Sequence, residues 1–434
     1  MPANRTFIVT NLSRVEGEGA LYVKLNGEQV EHIELNIFEP PRFFESFLRG
    51  REVREVPDIT ARICGICPVA YQMSSCHALE KALGINDQIT PEIRRLRRLL
   101  YCGEWIESHA LHMHLLHAPD FLGYESGVSM AADHREVVVR GLRLKKIGND
   151  LLEILGGRAI HPINVTVGGF YKAPGRKKLK DLLPDLEWGL AASIEATRMA
   201  AAFDFPDFTM PYECVALRHP DEYPLNEGRI VSTSGLDIDA AEYEEHFQER
   251  QVPHSTALHS VLLPQETSYL VGPLARVNLC LAQLSPLARR EADAYGIAWP
   301  SRNNFHSIVA RGLEMIHAYE EAIEIVKDYQ AELAVSRIPF ELKPGEGSHA
   351  TEAPRGLIWH RYRIGDDGLI ADAKIVPPTS QNQGQIEDDL RHYVPQVASL
   401  DDAEATRRCE HLIRNYDPCI SCSTHFIRVT WERT

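Results

Sequence analysis

Apolar positions alternate with polar ones along residues 7–38, where Ala20, Tyr22, Val23 and Leu25 lead into Asn26-Gly27 and Val30, Ile33, Leu35, Ile37 and Phe38 lead out. Alternation around an Asn-Gly dipeptide predicts an antiparallel β region at a sheet edge. The period then lengthens. Pro68 opens a predicted helix that runs through Leu83 and closes at Gly84. A long helix is predicted over 91–117, with Leu96, Leu99, Leu100, Trp105, Ile106, Leu111, Leu115 and Leu116 as its apolar positions and Pro119 as its stop. Helical patterns recur at 134–155, 181–203, 275–292 and 305–335, whereas 206–275 is rich in Pro and Gly and reads as an irregular or β region. Gly365-Asp366-Asp367-Gly368 sits between two apolar runs as a hairpin turn; Pro377-Pro378-Thr379 ends that hairpin, and helices near 383–395 and 401–415 follow.

These elements predict a mainly α fold with peripheral antiparallel β structure, an α+β arrangement. No 20–50 residue repeat and no low-complexity linker interrupts it. The expected organisation is a single integrated unit over 1–434, with a β region at 7–38, a helical core at 68–205, the irregular region at 206–275 and a closing region at 276–425.

Charge narrows the partners. With 61 Asp plus Glu against 46 Lys plus Arg, the chain is acidic, which argues against a nucleic-acid groove or an anionic membrane surface. The basic run Arg176-Lys177-Lys178-Leu179-Lys180 reads as a solvated loop and helix start. Nine cysteines, an odd number at low density, point to a reducing compartment rather than a disulfide scaffold. No membrane-spanning stretch and no secretory leader are visible, so a cytoplasmic location is expected.

Two cysteine pairs carry the candidate chemistry. Arg62-Ile63-Cys64-Gly65-Ile66-Cys67-Pro68 lies near the start, and Asp417-Pro418-Cys419-Ile420-Ser421-Cys422-Ser423-Thr424-His425 lies near the end. Two CxxC pairs can give four thiolates to one soft-metal site, provided both ends of the chain meet in the interior. Softness alone does not choose between nickel and zinc. Ser13-Arg14-Val15-Glu16-Gly17-Glu18-Gly19 is a glycine-punctuated turn, and one of Glu16 or Glu18 could face the pocket and move protons. His109, His112, His114 and His117 read as hydrogen-bonded interior histidines of a polar helix rather than as ligands. Glu45, among Phe43, Phe44, Phe47 and Leu48, needs a cation or donor if it is buried.

At these residues the chain resembles the large, catalytic subunit of nickel-iron hydrogenases, and specifically the soluble, cofactor-coupled NAD(P)-type groups. The resemblance rests on the two cysteine motifs, Arg14 to Gly17, Gly156 to Pro162, and Glu352-Ala353-Pro354-Arg355-Gly356, in family order over nearly the full length. It implies a helical core closed by the N- and C-terminal CxxC segments. Cys64 and Cys419 would be terminal nickel ligands, and Cys67 and Cys422 would bridge nickel to an iron that carries carbon monoxide and cyanide. Glu45 and His425 would hold Mg2+ or a similar hard cation. Glu16 would take the proton from Cys419, leaving Glu18 at the surface, and Arg355 would sit over the metal pair. Pro354, Ile358 and Val376 would line the pocket around the diatomic ligands, with Thr379 donating a hydrogen bond to one of them.

The implied activity is reversible heterolytic H2 oxidation and proton reduction. The remaining cysteines make no cluster motif, so iron-sulfur clusters are expected in a small-subunit partner, and flavin in further NAD(P) reductase subunits. A maturation protease is expected to cut after His425 and remove 426–434. Alternatives are a large subunit linked to F420 or heterodisulfide reduction, and a metal-stabilised, non-catalytic subunit of a related redox complex. Three positions depart from the family pattern: Tyr71 stands where many relatives carry histidine, Pro378 where a hydroxyl residue is expected, and Ser108 where membrane-linked relatives carry aspartate.

Overall fold

The computed structural model describes residues 4–26, 29–39, 43–330 and 336–424. Strands Asn4–Val9, Gly19–Asn26 and Gln29–Ile37 form an antiparallel sheet in chain order. Of the expected apolar positions Val23, Leu25, Ile33, Leu35 and Ile37 are buried, joined by Leu21, whereas Ala20, Tyr22 and Val30 are only half-buried and Phe38 is exposed. The buried face packs with Ile386, Leu390 and Val394 of the Pro378–Val397 helix. Gly27 of the expected turn lies outside the described residues.

The helical body is organised around Pro68–Leu83, which is buried on nearly every side and so shows little amphipathic pattern. Beside it, Pro91–Leu111 crosses Arg135–Gly156 at a point where glycine is required. A Cβ at Gly148 would stand 2.6 Å from the Gly103 carbonyl oxygen and 2.7 Å from the Glu107 nitrogen. Backbone cannot yield as a side chain can, so the two helices approach closely only because both positions lack side chains. The Ser307–Asp328 helix completes this layer against Leu183–Ala201.

Several boundaries differ from expectation. Pro119 does not stop the long helix. After Leu111 a π-helical turn spans His112–His117, and Pro119 falls in the first turn of a short helix, Ala118–Leu122, where its missing N–H costs no hydrogen bond. The stop is Gly123, in the left-handed conformation with φ +79°. The predicted helix over 275–292 is two pieces, Pro273–Cys280 and Pro286–Ala294, each opened by proline. The hairpin after 353 has an unforeseen first strand: Gly345–Ala353 pairs with Gly356–Ile364, which pairs with Ile370–Val376. The closing helix starts at Pro378 rather than near 383, because Pro377-Pro378 ends the strand and opens the helix at once.

The region 206–275 holds short antiparallel pairs, including Val215–Arg218 with Arg229–Ser232 and Phe247–Gln251 with Leu258–Leu262. None of the helices in the described residues is long and apolar enough to cross a membrane. Replacing Gly148 by Ala should lower the thermal midpoint. The backbone clash costs about 1–3 kcal/mol, against a helix-propensity gain of about 1 kcal/mol; a raised midpoint in a melting experiment would refute the close-approach account.

Candidate metal centre

The local fold delivers each sulfur from a constrained turn. Cys67 immediately precedes Pro68, so the first CxxC ends at a helix N-terminus, where free N–H groups favour negative charge. The cap is supplied from another helix: the buried Glu104 carboxylate accepts from Val69 N at 2.6 Å and Ala70 N at 3.1 Å. The loop before it is tied to the Gly156–Pro162 segment. His161 Nδ1 donates to the Ala61 carbonyl at 2.7 Å, and Gln72 Nε2 donates to the Pro162 carbonyl at 2.6 Å.

The second CxxC is brought in by the Asp402–Arg414 helix. The Arg414 guanidinium makes two contacts to Asp120, at 2.7 and 2.6 Å, and another to the Ser13 carbonyl at 2.8 Å. Arg14 donates to the same Asp120 at 3.1 and 2.6 Å. One carboxylate therefore fastens the N-terminal turn to the C-terminal segment. Glu16 and Cys419 then form a parallel bridge, with Ile420 N donating to the Glu16 carbonyl at 2.9 Å. Gly17, at φ +88°, makes the approach possible; a Cβ there would lie 2.8 Å from Ile420 Cβ and 2.9 Å from Ser421 N.

All four cysteines of the two motifs are buried. Cys67 Sγ lies 2.9 Å and Cys419 Sγ 3.6 Å from Cys64 Sγ, and the Cys64, Cys67 and Cys422 sulfurs fall within 4.8 Å of one another. Burial works against a Cys64 thiolate, but hydrogen bonds from Cys419, Cys422 and Cys67, together with the charge of Arg355, bring its pKa well below the usual thiol value. Burial first, and then donation toward Cys419 and Cys64, pushes the Cys422 thiol up.

Glu16 Oε2 lies 3.1 Å from Cys419 Sγ and accepts from Ser421 N at 3.2 Å. Glu18 is exposed, so of the two carboxylates in the turn Glu16 faces the sulfurs. Arg355 occupies the two-residue loop between paired Ala353 and Gly356. Its Nε donates to the Asp417 carbonyl at 2.7 Å, Nη2 lies 3.2 Å from Asp417 Oδ1, and Nη1 is 4.0 Å from Cys67 Sγ. Burial opposes its charge, yet Asp417 and the sulfurs raise its pKa further, so it stays cationic.

The other expected residues separate. Ile358 shares one hydrophobic cluster with the four cysteines, whereas Val376 packs in another with Val271 and Leu357. Pro354 is buried in the loop beside Arg355. Thr379 Oγ1 accepts from Cys419 N at 3.0 Å. Glu45 is half-buried and accepts from Ile375 N at 2.9 Å. His425 and the expected tail 426–434 lie outside the described residues.

Of the four helical histidines, His109 meets Glu314, His112 the Arg414 carbonyl and His114 the Ala110 carbonyl. His117 has no hydrogen-bond partner among the described residues; its ligand atom lies within 4.8 Å of those of Asp120 and His411. Two further groups were hidden in the sequence. Arg276, fully buried, pairs with Glu314 at 2.7 Å and Glu352 at 2.9 Å, and donates to the carbonyls of Ala353 and Pro354 at 2.8 and 3.0 Å. It fixes the backbone directly before Arg355. Glu104 sits mid-helix among apolar neighbours; the glutamate-in-an-apolar-stripe pattern was the available signal.

The donor chemistry fits a soft metal pair. Four buried sulfurs converge with a permanent cation beside them, and two polar atoms around them, Tyr71 Oη and Asp417 Oδ2, are buried without hydrogen-bond partners among the described residues. Tyr71 shares the hydrophobic cluster that holds all four cysteines, and burial pushes its phenol well above its usual value.

Comparison with known proteins agrees with this arrangement. A family described as nickel-dependent hydrogenase matches residues 42–140 and 265–425. The chain is similar to the sulfhydrogenase 1 subunit alpha of Pyrococcus furiosus, with 31% identity over 424 residues, 97% of this chain and 98% of the relative. Sulfhydrogenase 2 subunit alpha of the same organism is 33% identical over 422 residues, 96% of this chain and 98% of the relative. An NAD+-reducing [NiFe]-hydrogenase, solved in the H2-reduced state, superposes with a TM-score of 0.88 at 26% identity, covering 98% of this chain and 100% of that one. With the sulfur geometry, the matched motif regions and near-complete coverage in agreement, the chain belongs to the nickel-dependent hydrogenases, as a catalytic subunit.

Proposed function

We propose that the protein catalyses reversible heterolytic cleavage of H2, with Cys64 and Cys419 as residues that would hold nickel and Cys67 and Cys422 as residues that would hold nickel and iron. The observation that carries the reading is the 3.1 Å contact between Glu16 Oε2 and Cys419 Sγ beside a converging set of buried sulfurs. When bound, a nickel-iron pair whose iron also takes carbon monoxide and cyanide would supply the chemistry that polarises the H–H bond. Cys419 Sγ receives the proton and passes it to Glu16 Oε2, whose position is held by the Ser421 N–H. Arg355 keeps a fixed positive charge over the site, its planar donors aimed by Asp417. Pro354 and Ile358 provide apolar walls suited to an uncharged diatomic substrate, with Val376 set apart in the cluster of Val271 and Leu357, and the Thr379 hydroxyl offers a donor. Glu45 and His425 would be the residues to hold Mg2+ or a similar hard cation.

Electrons leave through iron-sulfur clusters of a small subunit and then through flavin-bearing subunits to NAD(P). The likeness to an NAD+-reducing [NiFe]-hydrogenase supports the nicotinamide acceptor. Purified complex should contain nickel and iron, show infrared bands of carbon monoxide and cyanide, and reduce NAD+ or NADP+ with H2. Absence of nickel and of both diatomic bands would overturn the hydrogenase reading, whereas F420 reduction without nicotinamide reduction would change only the acceptor.

Two substitutions divide the roles. Glu16→Gln keeps the shape but removes the proton acceptor, so H2/D2 exchange should fall by about 100-fold while nickel and iron content stay unchanged; preserved exchange would reject the proton role. Arg355→Lys keeps the charge but loses the planar fork, and turnover should fall by about 100-fold with metals retained. Normal turnover with lysine would show that the fork is dispensable.

A further inference from the structure

A second group of ligand atoms lies outside the sulfur centre. His254, in the turn between strands Phe247–Gln251 and Leu258–Leu262, and His259, on the second strand, meet Glu387 of the Pro378–Val397 helix. One ligand atom from each falls within 4.8 Å of the other two. Glu387 Oε1 accepts from His254 Nε2 at 2.8 Å and from Leu35 N at 2.9 Å, so the carboxylate is aimed by a strand and a histidine together. His259 is only 6% exposed, and its Nε2 is buried with no hydrogen-bond partner among the described residues. The two imidazole rings stand edge to face, with centroids 5.6 Å apart and planes at 86°.

A buried, unpaired ring nitrogen is unfavourable unless something meets it. A cation there would meet that nitrogen and the Glu387 carboxylate, and would gain a second imidazole as His254 releases the proton it now donates to Glu387. Two imidazoles and one carboxylate, with the remaining side open, match the donor set of a borderline divalent ion that keeps a water. Access exists: His254 lines a surface cavity of about 600 Å³ together with Ile37, Phe38, Pro253 and Thr256. The comparable His117, Asp120 and His411 group lacks this character, because Asp120 already neutralises Arg14 and Arg414 and a cation there would face both guanidinium groups.

We propose that His254, His259 and Glu387 form a second metal site that takes a zinc-like divalent cation with water in the open position. Its ligands would join the N-terminal sheet, through Leu35 and Glu387, to the 247–262 hairpin and to the helix whose first turn carries Thr379. The site is then a structural clamp, separate from the sulfur centre and independent of what that centre binds.

The test uses the whole purified complex without a histidine tag, dialysed against chelator and then supplied with Zn2+ alone. Bound zinc is counted per chain by mass spectrometry of the digested protein, and Co2+ is substituted to read its d–d absorption. One zinc per chain is expected in the wild type, with an intense cobalt spectrum of low coordination number. His259→Gln and Glu387→Gln should each lose both signals while nickel, iron and H2 turnover remain at wild-type level, which also shows that the variants have folded. Zinc should raise the melting midpoint of the wild type and leave that of the variants in place. Equal zinc in the wild type and both variants, or no retained zinc in the wild type, would overturn the proposal. If a variant fails to fold, His254→Ala, at the accessible edge, carries the same comparison.

Discussion

Asp120 holds two arginines from opposite ends of the chain, and the reactive geometry depends on that one carboxylate. Arg14 comes from the turn after the first strand and Arg414 from the end of the last long helix. All three side chains are largely buried, so removing the carboxylate would leave two cations without their shared partner, a far larger penalty than losing a surface ion pair. The contact also sets position. Two residues beyond Arg14 stands Glu16, and five beyond Arg414 stands Cys419; the parallel bridge between them follows once the arginines share their anchor. Closure of the chain and placement of the proton acceptor are therefore one event.

A second layer of buried charge controls the remaining components. Glu104 caps the helix that begins after Cys67, and Arg276 clamps the carbonyls that precede Arg355. Both act through backbone, which explains why they hold position so firmly: a backbone N–H or carbonyl cannot rotate away as a side chain can. The sulfur centre is thus surrounded by charged residues that never need to touch a substrate, each fixing one element that does.

Much of this was legible in the sequence because it is local. CxxC spacing, the proline after Cys67 and the glycines around Glu16 all speak within a few residues. The choice between Glu16 and Glu18 was not local; it became clear only where Ile420 and Ser421 approach the turn. Asp120 and Arg276 were illegible for the same reason. A charged residue in a helical pattern looks solvated unless its partner is known, and these partners lie far along the chain. The misplaced stop at Pro119 has another origin: a π turn shifts the hydrogen-bond frame, so a proline that would break one helix opens the next.

The loop that presents Arg355 is short, paired at both ends and seemingly portable. Its aim, however, is not its own. Arg276 reaches the carbonyls of Ala353 and Pro354 from a different helix, and is itself oriented by Glu314 and Glu352. Anyone transplanting the Ala353–Gly356 loop to a new scaffold would carry the guanidinium but leave behind the charges that point it. The transferable unit is the loop together with Arg276, Glu314 and Glu352, from two helices and a strand, and inheritance of the motif without them would preserve its letters while losing its direction.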